Sequence, residues 1–360
     1  MIQNPICQTT KQISMKLSIT LVVLSFFFGL LPATAATMQI MAIPRSQVDK
    51  AIEGPVKIVL SGEIDIDAPK RLRTVLSKVE KTWISVYIDS PGGNLLAGME
   101  IGRILREIGA TTTVGIANPK SYTVAPGRCL SACSLAFLGG DYRYLAQGSI
   151  YGVHRVSISR PSSNDLDKGQ IIAAAMGAYI REMGVDPSLL SLSVKAGSNG
   201  MYILTKSELE QLQVVNNGRK APLWSIEVVE GGTFLKGVQE TLYGTGKMSI
   251  SCSASGAVML STYTAGDKAP VIAKGDWEHS AFINNESISL PPPVKLEARD
   301  DTIYAMFVIP PASLRMMRHA ETVGHAMQIS RDAPTFVGYK IDIDKASRSR
   351  FDTYIGNCFR

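Results

Sequence analysis

Trp83-Ile84-Ser85-Val86-Tyr87-Ile88-Asp89-Ser90-Pro91-Gly92-Gly93 decides how the chain is read. Residues 83–88 form an apolar strand that runs directly into a Pro-Gly-Gly turn. The two glycines permit positive φ and a close approach of the backbone by a ligand. A helix follows, with Ala97, Ile101, Ile104, Leu105 and Ile108 on one face and Glu100, Arg103 and Glu107 on the other. Gly109 stops it, and 111–115 reads as the next strand. Upstream, Val-Lys-Ile-Val-Leu at 56–60 is a strand, and Leu72, Val75, Leu76 and Val79 recur at helical spacing. Strand and helix alternating in this way predict an α/β fold with a largely parallel sheet.

Downstream, a polar loop over 118–128 leads to Cys129-Leu130-Ser131-Ala132-Cys133, which opens an apolar helix to Leu138 closed by Gly139-Gly140. Short strands are expected at 143–145 and 148–155, the second placing Ile150, Gly152 and His154 on one face. An alanine-rich helix spans 170–183, and Asp186-Pro187-Ser188 opens another. Thr205 and Glu208 have the spacing of a capping box after a strand at 203–204.

The 360 residues suffice for about two domains. With 45% apolar and 19% charged residues, the balance is that of a globular protein. Lys11 and Lys16 precede an apolar run from Leu17 to Leu31, and Pro32-Ala33-Thr34-Ala35 fits a small-x-small cleavage site. Residues 1–35 are therefore expected to be a signal peptide cut near Ala35, with an uncleaved anchor as the alternative, and the mature chain to be periplasmic or secreted. The net charge of +6 falls to about +4 without that segment and is scattered, which argues against a nucleic-acid partner. No later run reaches the length of a membrane span. Residues 36–54 are a lead-in, 55–215 the α/β domain, and 216–222 a linker. Residues 223–360 are a β-rich domain in which turn pairs such as Gly231-Gly232, Asn284-Asn285 and Asp300-Asp301 separate short strands of a sandwich or barrel.

Export changes the reading of the cysteines. Cys129, Cys133, Cys252 and Cys358 remain after the leader, and four allow three pairings. Pairing within each domain gives Cys129–Cys133 and Cys252–Cys358. Two buried free thiols around Ser131, or Cys133 as a nucleophile, are the other readings of the first pair. The spacings are not those of a zinc site, so no metal is expected.

Asp89-Ser90-Pro91-Gly92-Gly93 opening a helix, then a serine at a helix start, then a strand ending in histidine, resembles the Clp protease proteolytic subunit and its crotonase-like superfamily. More narrowly, it resembles exported bacterial members with a Cys-x-Ser-x-Cys turn. The likeness covers roughly residues 55–215. It implies a serine peptidase or related hydrolase with Ser131 as nucleophile and His154 as general base, 23 residues further on. It also implies the N–H groups of Gly93 and Ala132 as oxyanion donors, a peptide or protein substrate, no cofactor, and a homo-oligomer as the family often forms. The family's third member, an aspartate, has no counterpart in Gly197-Ser198-Asn199-Gly200-Met201-Tyr202, leaving Asn199 or Ser198 to orient the imidazole. Against this stand plainer readings: Ser131 as an N-cap, His154 as a sheet histidine, and the protein as a catalytically degenerate binding scaffold acting through its β-rich domain. An acyl-CoA enzyme ranks third, since an exported protein rarely meets coenzyme A.

Overall fold

Alternation along two central strands sets the first layer, because every second side chain points into the same core. The computed structural model describes residues 37–80, 82–119, 121, 123–155, 165–196, 200–253, 256–330 and 336–359. The expected leader lies outside them. In chain order the first half comprises β1 (Gln39–Ile43), α1 (Gln47–Ala51), β2 (Val56–Ser61), α2 (Ala68–Leu76), β3 (Ile84–Asp89), α3 (Leu95–Glu107) and β4 (Thr111–Val114). Then come β5 (Ile116–Ala117), β6 (Val124–Ala125), β7 (Arg128–Leu130), α4 (Ala132–Leu138), β8 (Tyr142–Leu145) and β9 (Ile150–Val153). The half closes with α5 (Asp165–Glu182), α6 (Ser188–Lys195), β10 (Tyr202–Ile203) and α7 (Lys206–Gln211).

The mixed α/β character read from the sequence is present. β2, β3, β4 and β8 run parallel in one sheet, with β1 antiparallel on its edge. A small second sheet has the order β10-β9-β7, with β7 and β9 parallel. α3 buries Ala97, Ile101, Ile104 and Leu105, whereas Ile108 is its exposed C-cap. Thr205 and Glu208 make the reciprocal capping box at the start of α7. The expected polar loop at 118–128 instead holds β6 and is paired to β5; strands of two residues are too short for alternation to reveal.

The second half is rich in antiparallel strands: β11 (Leu223–Val229), β12 (Gly232–Thr241), β13 (Gly244–Ser253), β14 (Gly256–Thr264), β15 (Glu278–Ile283) and β16 (Glu286–Ser289). β17 (Lys295–Arg299), β18 (Thr302–Ile309), β19 (Thr322–Gln328) and β20 (Val337–Asp342) complete them. They form a six-stranded sheet, β11-β12-β13-β14-β18-β17, and a four-stranded one, β16-β15-β19-β20. Asn284 and Asp300 sit at hairpin turns with φ of 57° and 53°, as turn residues that tolerate the left-handed region do. Helices also occur here, and an all-strand reading missed them: α8 (Ala269–Ile272), α9 (Pro311–Met317) and α10 (Lys345–Asn357). Phe351, Tyr354 and Ile355, at i, i+3, i+4, turn one face of α10 into the core, where Phe351 meets Trp224 edge-on at 4.8 Å.

Buried apolar side chains form one large cluster between Met38 and Val215 and another between Trp224 and Ile355. Between them the chain is tied back to β8. Asn216 accepts from the Arg143 N–H at 2.8 Å and donates to the Asp141 carbonyl at 2.8 Å. The buried Arg143 guanidinium donates to the Val214, Gln213 and Gly140 carbonyls, with no carboxylate among these partners. Burial lowers its pKa to about 10.

Candidate active site

Two stretches some forty residues apart in sequence are joined by a short parallel bridge. The Ser90 N–H donates to the Arg128 carbonyl at 2.7 Å, and the Leu130 N–H to the Ser90 carbonyl at 3.1 Å. The Asp89 carboxylate accepts from the Arg128 N–H at 2.8 Å. The Pro-Gly-Gly turn after β3 is thereby laid beside the serine turn after β7.

Ser131 stands between β7 and α4 with φ 57° and ψ −126°. A side chain in that region costs about 1–3 kcal/mol and persists only where its surroundings enforce it. Such a strand-to-helix turn thrusts the hydroxyl outward. Ser131 occupies the N-cap position of α4, but its side chain makes no capping hydrogen bond. Its Oγ lies 2.6 Å from His154 Nε2 instead. His154 follows β9 directly, and β7 and β9 are parallel neighbours in the small sheet, so both side chains emerge at the same end. The Ser131 N–H donates to the Gly152 carbonyl at 3.0 Å, locking the two strand ends together. His154 is half-buried, and its Nδ1 has no hydrogen-bond partner among the described residues. Asn199 and Ser198, read as orienting groups, lie outside the described residues.

Two backbone N–H groups face the same space. Ile64 donates to the Gly92 carbonyl and accepts from the Asn94 N–H, both at 2.7 Å. Alternation along the extended backbone turns the N–H of the intervening Gly93 to the opposite side. Gly93 has φ 137°, and any Cβ there would collide with the Ile64 backbone. The Ile64 turn is itself held by Asp65, which binds Arg71 and the N–H of Met38 and of Asp67. The Arg71 guanidinium lowers the Asp65 pKa to about 2. The second N–H belongs to Ala132, the first residue of α4. The Ser131 carbonyl is gripped by Ser134 twice, through its N–H at 2.9 Å and its hydroxyl at 2.6 Å. In a trans peptide the Ala132 N–H then points the other way, away from Ser134. Neither the Gly93 nor the Ala132 N–H has an acceptor among the described residues.

Cys129 and Cys133 are bonded, with Cα atoms 5.2 Å apart. They do not lie one turn apart on a helix: Cys129 belongs to β7 and Cys133 to α4, so the disulfide spans the serine turn. That separation is in the usual disulfide range. The free-thiol and Cys133-nucleophile readings do not describe this structure. Cys252 and Cys358 are likewise bonded, at a Cα separation of 5.3 Å. Across the site, Gly98 of α3 meets the first turn of α4 so closely that a Cβ would come within 2.5 Å of the Ala132 carbonyl.

The pocket beside Ser131 has a volume of about 260 Å³. Its wall is mainly apolar, with Leu95, Leu135, Met176, Ile180, Leu189 and Leu190. Sequence reasoning assigned α5 and α6 as helices but did not see that they close the site. Ser134 was missed too, although a serine three residues after another at a helix start is the available signal. Chemically, the arrangement combines an outward hydroxyl, an imidazole that can take its proton, and two donors with no acceptor among the described residues.

No protein-family model matches the chain, and no curated protein matches it. Among solved structures it is similar to ClpP1 from Listeria monocytogenes, at 17% identity and TM-score 0.35, over 44% of this chain and 88% of that one. A single-residue variant of the same ClpP1 matches at 19% identity and TM-score 0.34, with the same coverage. A single-residue variant of the membrane-bound stomatin-specific protease 1510-N matches at 18% identity and TM-score 0.30, over 41% of this chain and 70% of that one.

Proposed function

We propose that the chain is an exported serine hydrolase, most simply a peptidase, with Ser131 as nucleophile and His154 as general base. The observation that carries this reading is the 2.6 Å approach of Ser131 Oγ and His154 Nε2 on a strained strand-to-helix turn. Ser131 Oγ attacks the acyl carbon while its proton passes to His154 Nε2. The oxyanion accepts from the Gly93 and Ala132 N–H groups, reinforced by the N-terminus of α4. His154 then protonates the leaving amine, and an acyl ester on Ser131 remains. Water, deprotonated by the same imidazole, attacks that ester, releases the acid and restores the serine. Asn199 or Ser198 is the proposed partner of His154 Nδ1, and residues 223–360 the proposed recognition part. Export is supported by the two disulfides. Among the described residues no helix is long and apolar enough to cross a membrane. The test is cleavage of an unfolded protein substrate followed by mass spectrometry. Wild type yields discrete fragments, Ser131→Ala yields none, and His154→Ala is slower by roughly 10²–10⁴-fold. Equal cleavage by Ser131→Ala sinks the proposal.

A second reading is favoured by the lack of a partner for His154 Nδ1 among the described residues: a scaffold of this fold that binds through its β-rich half without catalysis. It expects the cellular phenotype to survive Ser131→Ala and His154→Ala but not removal of residues 223–360.

A further inference from the structure

A chain of hydrogen bonds runs through the core of the second half and ends at a pocket unrelated to Ser131. The Tyr339 hydroxyl lies 2.6 Å from the Lys247 carbonyl and 2.9 Å from Ser261 Oγ. It has one proton, and the carbonyl can only accept, so that proton goes to Lys247 and Ser261 supplies the proton of the second contact. Ser261 Oγ therefore accepts from His325 Nδ1–H at 2.8 Å. His325 is fully buried and neutral, burial lowering its pKa to about 3. Its Nε2 is then a lone pair, which takes the Nδ1–H of His279 at 3.1 Å, the two ring planes being parallel within 4°. The sequence of donors fixes His279 as the tautomer whose Nε2 lone pair is free. His279 is only 7% exposed, and Nε2 has no partner among the described residues.

His279 lines a cavity of about 700 Å³ with Asp276, Trp277, Glu278, Pro292 and Pro293. Several wall donors among the described residues are spent or absent. The Trp277 indole N–H and the Gly275 N–H both go to the Ile272 carbonyl, at 2.7 and 3.0 Å. The Leu290 N–H goes to the His279 carbonyl at 2.9 Å, and the two prolines have no N–H. What remains is the Ser289 hydroxyl, which can donate or accept, and a set of acceptors: the imidazole lone pair and the Asp276 and Glu278 carboxylates, neither of which has an ion-pair partner among the described residues. No lysine or arginine is among the described lining residues. The indole offers only its face, and the prolines an apolar wall.

We infer that this pocket recognises a cationic hydrogen-bond donor on an apolar stem, an alkylammonium or alkylguanidinium group. The donor bonds His279 Nε2, the carboxylates balance its charge, and Trp277 covers the stem. The source is either a lysine or arginine side chain of a peptide or a free amine.

The test uses the full chain, titrated with capped arginine amide, with agmatine, and with capped citrulline amide as an uncharged isostere. Binding is read from Trp277 fluorescence, with Trp277→Phe as the blank, and from the ¹⁵N shift of His279 Nε2. The two cationic probes are expected to saturate a common signal, while citrulline amide does not. Asp276→Asn with Glu278→Gln, both at exposed positions, is expected to weaken binding about tenfold or more. Preference for the capped amide assigns the site to peptides, and equal affinity assigns it to the charged head alone. Absence of saturation, equal binding of citrulline amide, or full affinity in the double variant overturns the inference.

Discussion

At Ser131 the backbone adopts a conformation that only its surroundings can hold, and Ser134 supplies part of that hold. Its hydroxyl and N–H fix the Ser131 carbonyl and hence the direction of the Ala132 N–H. Ser134→Ala is expected to lower kcat about tenfold with KM nearly unchanged, because one of the two bonds that orient the proposed oxyanion donor is lost. Ser134→Thr keeps the hydroxyl and should restore most of the rate. A fall in stability with kcat intact would assign Ser134 a structural part only. Ser131 and His154 could be singled out in the sequence as candidates because few residue types carry such chemistry, and His154 is the only histidine in residues 37–278. Ser134 was not legible: within an apolar helix a serine resembles filler until its acceptor is known. The positive φ of Ser131 was hidden for a similar reason, since a non-glycine residue carries no sequence mark of strain.

Among the elements, the strand–turn–helix units were readable from period and glycine placement, and β2, β3 and α3 came out close to their expected bounds. The bridge joining Ser90 to Cys129 and the seating of Gly98 on α4 depend on contacts that no local pattern encodes. The two disulfides separate stability from site geometry. Cys252–Cys358 closes a span of 106 residues and Cys129–Cys133 one of only 4. Loop-closure entropy then gives about 5 kcal/mol for the first and about 2 kcal/mol for the second. Replacing Cys252 and Cys358 by alanine should lower the denaturant midpoint more. Replacing Cys129 and Cys133 should lower the hydrolysis rate more, because that bond spans the serine turn. Equal effects of both pairs on rate would remove the turn-holding role.

For the molecule as a whole, acid stability is set in part by the second core, where His325 is buried beside His279, Ser261, Tyr339 and Phe307. The folded pKa of about 3 lies below the ordinary value of 6.5. Between them the unfolded chain binds a proton that the folded chain refuses, so stability is highest above 6.5 and falls as the pH drops toward 3. The slope is at most about 1.4 kcal/mol per pH unit for one such group. Urea midpoints measured between pH 7.5 and 4 should show this fall in wild type and a shallower one in His325→Asn. A pH-independent difference between the two would contradict it. The β-rich character of this half was visible in its turn pairs, but its helices and histidine relay were not. They join β14, β15, β19 and β20, which are far apart in sequence. Catalysis by the proposed Ser131–His154 pair is open to a fluorophosphonate probe, which reacts with an activated serine. One adduct per chain is expected, mapped by mass spectrometry to Ser131, absent in Ser131→Ala and slowed in His154→Ala. Folded wild-type protein whose Ser131 stays unlabelled, or Ser131→Ala labelled as readily as wild type, would contradict it.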